Sequence, residues 1–151
     1  MVSAIWLLAE WKKDQSLLKA IHNLPSILEH TVQEFWPALP CAVHTHQSLF
    51  CLGRGPTLAT SNEAALKFKE TCQLHAESYS SAEVLHGPVS LIGQGFPLIA
   101  LTAHDRAEDS LVQVADTLAD KGATVFVTSS RAKSAHILPT ICTGHPLTDP
   151  I

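Results

Sequence analysis

Apolar residues recur at helical spacing through the first 36 positions of the chain. Ile5, Leu8 and Trp11 fall three apart. Asp14 can cap a new helix that carries Leu17, Leu18 and Ile21. Leu24-Pro25 predicts a break, with Pro25 opening a further helix whose stripe is Leu28, Val32 and Phe35. Trp36-Pro37 and Leu39-Pro40 predict the end of the helical region. The pattern then changes to short apolar runs separated by longer amphipathic ones. Ser48 to Leu52 reads as a strand, Gly53-Arg54-Gly55-Pro56 as a turn, and Thr57 to Thr71 as a helix with Leu58, Ala65, Phe68 and Cys72 on one side. Leu74 to Tyr79 reads as a short strand and Pro97 to Thr102 as a buried one. Glu108 to Lys121 reads as a helix with Leu111, Val114, Ala115 and Leu118 inward and Gly122 as its stop. Thr124 to Thr128 is the next strand. A weaker one near Ile137 to Cys142 is confined to an edge by Pro139.

Continuously apolar strands alternating with helices imply a parallel sheet covered on both faces. The expected fold is α/β: a doubly wound, three-layer α/β/α arrangement with a mainly parallel five-stranded sheet, preceded by N-terminal helices. In such sheets ligands bind beyond the carboxyl ends of the strands. That places Gly53 to Pro56, Ala103 to Asp105 and Ser129-Ser130 at the expected site edge.

Composition narrows the functions. With 151 residues, 46% hydrophobic and 16% charged, the chain is one globular domain of ordinary size. A net charge of −4, with no basic run longer than Lys12-Lys13, argues against a nucleic-acid partner. No apolar run approaches the ~20 residues that span a membrane, and Met1 to Leu8 reads as a helix rather than a signal peptide. Cys41, Cys51, Cys72 and Cys142 stand far apart without a Cys-x-x-Cys pair, a usage that suits a reducing cytoplasm. Cys51 and Cys72 read as small core residues. His44-x-His46 lacks a third ligand at suitable spacing, and His104 and His136 read as ordinary histidines, so no metal site is expected.

Three features carry candidate chemistry. Glu63, Lys67 and Glu70 occupy positions i, i+4 and i+7 of one helix and share the face opposite the Leu58–Phe68 stripe. Spacing alone makes that an exposed ion-pair face; a general base must also be held at a pocket. His86-Gly87-Pro88 puts an imidazole on a sharp turn, with an unperturbed pKa near 6.5 that suits proton transfer. Gly53-Arg54-Gly55 before a helix can cradle an anion, although it is neither a P-loop nor a full Gly-x-Gly-x-x-Gly.

In order, Leu52-Gly53-Arg54-Gly55, Glu63-Ala64-Ala65-Leu66-Lys67-Phe68-Lys69-Glu70-Thr71, His75-Ala76-Glu77, Glu83 and His86-Gly87-Pro88 strongly resemble the second SIS (sugar isomerase) domain of glucosamine-6-phosphate synthase and its relatives. These are the two-SIS sugar-phosphate isomerases and deaminases. The resemblance implies that residues 1–40 are the helical connector from a preceding SIS domain. It implies that residues 41–151 are a SIS domain ending before the family's C-terminal tail. It implies that Glu70 moves a proton between C1 and C2 of an open-chain hexose 6-phosphate. His86 would assist ring opening in the neighbouring subunit of a homodimer, and Lys67 would help set the charge state of Glu70. Gly53, Arg54, Gly55 and Glu63 are the expected substrate-binding residues, with no cofactor. The family's Ser-x-Ser-Gly-x-Thr phosphate motif is not in the sequence, so little turnover is expected of this chain alone. The expected function is aldose–ketose isomerisation of amino-sugar or hexose 6-phosphates. The rival readings are an amino-sugar-6-phosphate deaminase and a non-catalytic sugar-phosphate sensor.

Overall fold

The computed structural model describes residues 2–149. Met1, where the expected N-terminal helix begins, and the last two residues of the expected 41–151 unit lie outside the described residues. Five parallel strands form one sheet: β1 (Ser48–Gly53), β2 (His75–Ser80), β3 (Pro97–Ala100), β4 (Thr124–Val127) and β5 (His136–Ile137). Their order is β2-β1-β3-β4-β5, so the chain winds outward in both directions from β1 and β3, with β2 at one edge and β5 at the other. Registers such as Gly53↔Ser80 and Leu52↔Ala100 bring the carboxyl ends of three strands to one edge of the sheet.

The alternation of side chains along each strand builds the layers. Phe50, Leu52, Leu98, Ala100, Val125 and Val127 face one side and pack beneath α5 (Glu108–Asp120) and the turn segment after β2. Leu49, Cys51, Ile99 and Phe126 face the other and meet α3 (Ala38–Val43) and α4 (Pro56–Cys72). Successive residues thus feed two cores, which is why these strands read as unbroken apolar runs. Each large side chain fully buried here contributes about 1.5–3 kcal/mol. Phe50 also meets Tyr79 and Phe96 edge-on, with centroids 5.0 and 4.8 Å away. The expected three-layer fold is the observed one.

Two helices precede this unit, α1 (Val2–Lys12) and α2 (Gln15–Thr31). The Asp14 carboxylate caps α2 by accepting from the Leu17 N–H at 3.0 Å. Ala9, Leu17 and Ile21 bury one another together with Leu147. Contrary to the expected break, α2 runs straight through Pro25. A helix-interior proline costs about 3 kcal/mol; burial of Leu17, Ile21 and Leu24 on the same helix offsets it. On α1, Leu8 and Trp11 are exposed, so its apolar face is largely open.

Most strand and helix boundaries shift by a residue or two from the expected ones, with four larger corrections. The helical stripe expected to reach Phe35 stops with α2 at Thr31, which leaves Val32 and Phe35 outside the helix and exposed. Cys72 is exposed rather than in the core: as the last residue of α4, before the left-handed Gln73 (φ 53°), it borders an open groove with Leu39, Val43 and Phe68. The edge strand near Ile137 shrinks to His136–Ile137, ahead of Pro139. A short helix, α3, forms after Trp36-Pro37, where the helical region was expected to have ended.

The loop from β4 to β5 is held by one side chain. The Asp116 carboxylate accepts backbone N–H bonds from Lys133, Ser134 and Ala135 at 2.9–3.1 Å. Burial alone would raise its pKa; the N–H bonds from Ala135, Ser134 and Lys133 outweigh that and hold it below the usual aspartate value. Its contribution is therefore present above about pH 4 and fades as pH falls through the lower folded value. Asp116→Asn is expected to cost about 1–2 kcal/mol at pH 7. The gap to wild type in urea unfolding should narrow below about pH 4. A gap that stays constant down to pH 3 would show that the charge is not its origin.

Candidate functional site

The turn joining β1 to α4 is set by close approach. A Cβ on Gly53 would lie 2.4 Å from the Thr57 carbonyl oxygen and 2.7 Å from Ser61 Oγ, so only glycine fits against the helix backbone. Gly55 then turns with φ 61° and leads directly into Pro56 at the start of α4. The buried Thr57 hydroxyl ties the turn: it accepts from the Arg54 N–H and donates to the Arg54 carbonyl, both at 3.0 Å. The Arg54 side chain is left exposed, with no ion pair among the described residues.

Along α4 the structure brings three of the expected residues together. Lys67 Nζ donates to Glu70 Oε2 at 2.7 Å and lies 3.3 Å from Glu63 Oε1. All three side chains are about half exposed. Hydrogen bonding to Glu70, then to Glu63, and the charge of both push the Lys67 ammonium above the usual lysine pKa. The result is a fixed positive charge flanked by two carboxylates on an open helix face.

His86 ends a short 3-10 turn (Glu83–His86) after β2; Gly87 follows at φ 149°, a conformation other residues rarely adopt. The imidazole is exposed and makes no hydrogen bond or ion pair among the described residues. Because α4 runs antiparallel to the strands, its last turn, with Glu70, lies by the amino end of β2. Arg54 lies at the carboxyl edge, and His86 follows the carboxyl end of β2. Arg54 and Glu70 are thus separated by nearly the whole helix, roughly 20 Å at 1.5 Å per residue. Within one chain the structure does not gather Arg54, His86 and Glu70 around a single small molecule.

The carboxyl edge holds a cleft of about 300 Å³ between α2 and the ends of β3 and β4, lined by Leu24, Leu28, Thr57, Thr102 and Thr128 among others. Thr102 and Thr128 bond to each other by N–H to Oγ and Oγ to carbonyl, both at 2.8 Å. None of Glu63, Lys67, Glu70, Arg54 and His86 lines this cleft. At its rim His104 Nδ1 lies 3.0 Å from Asp149 Oδ2, and the same oxygen accepts the His104 N–H at 3.1 Å. The Asp149 carboxylate is buried and its other oxygen accepts from the Thr143 N–H and hydroxyl. Sequence reasoning missed this pair. Forty-five positions separate the two residues, and neither stands in a motif. His44 and His46 share a second groove with Cys72, but among the described residues they form no metal-like cluster.

A parallel 2-1-3-4-5 sheet with a glycine-bounded turn feeding its first crossover helix defines a flavodoxin-like class of α/β protein. A family model described as the SIS domain matches residues 43–141, and the chain belongs to that family. The isomerizing glutamine–fructose-6-phosphate aminotransferase of Rhizobium leguminosarum bv. viciae is 30% identical over 135 residues, covering 87% of this chain and 22% of that protein. The chain therefore spans about a fifth of the length of the curated relatives it matches. A protein of Silicibacter pomeroyi DSS-3, provisionally assigned as a phosphosugar isomerase, superposes with a TM-score of 0.95 at 54% identity, over 99% of this chain and 46% of that one. The C-terminal domain of glucosamine-fructose-6-phosphate aminotransferase from Francisella tularensis shares the fold, with a TM-score of 0.74 at 23% identity over 92% and 40% of the two chains. This is a SIS domain related to the phosphosugar isomerases and to the isomerase part of the aminotransferases. No described helix is long and apolar enough to cross a membrane.

The Gly53 contact generates a direct test. Gly53→Ala forces a methyl group against helix backbone that cannot move aside, an expected loss of about 2–3 kcal/mol. Calorimetry should show a Tm lowered by roughly 5–10 °C. A Tm within a degree of wild type would mean that the turn relaxes freely.

Proposed function

We propose that this domain supplies the proton-transfer machinery of an aldose–ketose isomerase of amino-sugar or hexose 6-phosphates. The observation that carries the reading is the Glu63–Lys67–Glu70 group, held ion-paired on the open face of α4 in a chain 30% identical to an isomerizing aminotransferase. In this reading Glu70 removes the proton from the carbon beside the substrate carbonyl and returns it to the neighbouring carbon. The enediolate oxygen formed between those steps is stabilised by the permanent positive charge of Lys67, and Glu63 holds the lysine from its other side. His86 transfers the proton that opens the sugar ring. Gly53, Arg54 and Gly55, at the carboxyl edge with His86 and far from Glu70 of their own chain, would bind the anionic substrate at the Glu70 face of the other copy.

The distance along α4 bears on how these parts would combine. Glu70 and His86 lie toward opposite ends of the strands, and in this reading a site containing both would be assembled from two copies of the chain. That supports a homodimer in which His86 of one copy serves the other's Glu70 face. The half-exposed ion pairs also need a covering surface before their charges act at full strength, since water screens them as they stand. We further propose that residues 1–40 act as a connector and residues 41–151 as the SIS unit. The preceding domain would supply the phosphate anchor, and the whole would work in the cytoplasm.

Two measurements test the reading. In an enzyme that carries this domain with a phosphate-anchoring domain, Glu70→Gln is expected to lower kcat for hexose 6-phosphate isomerisation about 10²–10⁴-fold with substrate binding retained. Unchanged turnover would remove Glu70 from the chemistry. Ammonia release by wild type in place of isomerisation would select the deaminase reaction. After reassortment of an equal mixture, separately inactive Glu70→Gln and His86→Ala chains should recover about a quarter of wild-type activity, because roughly half the dimers are mixed and each of those has one of its two sites intact. No recovery would place His86 in its own chain's site.

A further inference from the structure

At the rim of the carboxyl-edge cleft stand three side chains of metal-binding type. His104, Cys142 and Asp149 each offer a ligand atom, and the three atoms lie within 4.8 Å of one another. They come from two segments, the loop after β3 and the turn at 142–149, which the Asp149 carboxylate itself ties together. A nitrogen, a sulfur and an oxygen donor at one point is the ligand chemistry of zinc and its neighbours, not of magnesium or calcium, which take oxygen donors.

We propose that His104, Cys142 and Asp149 bind one divalent transition-metal ion of the zinc class. Ligand bonds of about 2.0–2.3 Å in a tetrahedron require ligand atoms roughly 3.3–3.8 Å apart. The 3.0 Å His104–Asp149 contact already has that scale, and the widest separation must close by about 1 Å. His104 and Cys142 are exposed, so their side chains have room to make that adjustment. The ion takes the Nδ1 lone pair of His104 in the tautomer that carries its proton on Nε2, and any proton held between Nδ1 and Asp149 Oδ2 passes to water. The Cys142 thiol gives its proton to water, and the thiolate carries the bond. The supporting shell is in place. Thr143 donates its N–H and hydroxyl to Asp149 Oδ1 at 2.9 and 2.7 Å, fixing the carboxylate. The Gly144 N–H donates toward Cys142 Sγ from 3.4 Å, which orients the sulfur. A buried carboxylate paired, among the described residues, with a half-exposed histidine also gains a permanent counter-charge. Three protein ligands leave a fourth position for water or a ligand group at the mouth of the cleft.

Cobalt(II) titration of the purified chain, freed of metal with a chelator, tests this. The expected result is one equivalent bound, with visible bands of tetrahedral cobalt and a near-ultraviolet thiolate charge-transfer band. Cys142→Ser should abolish the charge-transfer band, and His104→Gln should weaken binding at least about tenfold. A Cys41→Ser/Cys72→Ser double variant should behave as wild type, and far-ultraviolet circular dichroism confirms that each variant is folded. Absence of stoichiometric uptake overturns the proposal. So does a thiolate band that survives Cys142→Ser, or a folded His104→Gln chain that binds as wild type does.

Discussion

The close packing of the first turn of α4 against the end of β1 governs the placement of everything else. With no side chain at Gly53, the helix backbone comes within contact of the strand end, and the Thr57 hydroxyl fixes the connecting peptide from both sides. The helix axis then has one direction available, back down the sheet. That direction decides which residues look outward. Ala65 and, partly, Phe68 face the sheet, and the opposite side of the helix carries Glu63, Lys67 and Glu70 into solvent as a group. Position and chemistry on α4 are therefore consequences of a turn that contains no ionisable group in contact with them.

The sheet supplies stiffness on both sides of that turn. Phe50 and Leu52 serve one core while Leu49 and Cys51 serve the other, so no displacement of β1 spares either layer. Burial pushes the Cys51 thiol to about 12, which makes it an inert packing group rather than a nucleophile. The N-terminal helices are different. Trp6, Leu7 and Trp11 are exposed on α1, as are Val32 and Phe35 beyond α2. An isolated globule seldom displays so many large apolar side chains on neighbouring segments. Their exposure agrees with a domain that works against other protein surface.

Much of this was legible in the sequence because the relevant signals are local. Unbroken apolar strands, glycine-bounded turns and amphipathic helices fixed the layers, and the i, i+4, i+7 spacing placed Glu63, Lys67 and Glu70 on one face. What escaped depended on contacts distant in the chain. Pro25 signalled a break, but the buried side of α2 outweighs the lost hydrogen bond. Cys72 fitted the inward stripe, yet Gln73 ends the helix there. The His104–Asp149 pair exists only because the turn at 142–149 folds back over the end of β3. No spacing rule connects residues brought together by a loop of that kind. Distance along α4 was likewise hidden, since a sequence pattern gives the face of a helix more readily than the edge of the sheet it reaches.

The edge position of β2 has a consequence for behaviour at high concentration. Its outer row of backbone donors and acceptors faces away from β1, the arrangement that invites a foreign strand to add on. The sequence His75-Ala76-Glu77-Ser78-Tyr79-Ser80 answers with polar or ionisable groups at most positions. His75 and Glu77 project from neighbouring places on the strand, and Glu77 is engaged by the Tyr79 hydroxyl. A strand with carboxylate, imidazole and serine along its length gives an incoming copy little dry surface to stack on. The open edge is therefore poorly suited to fibrous self-assembly, even though it pairs with no second strand among the described residues.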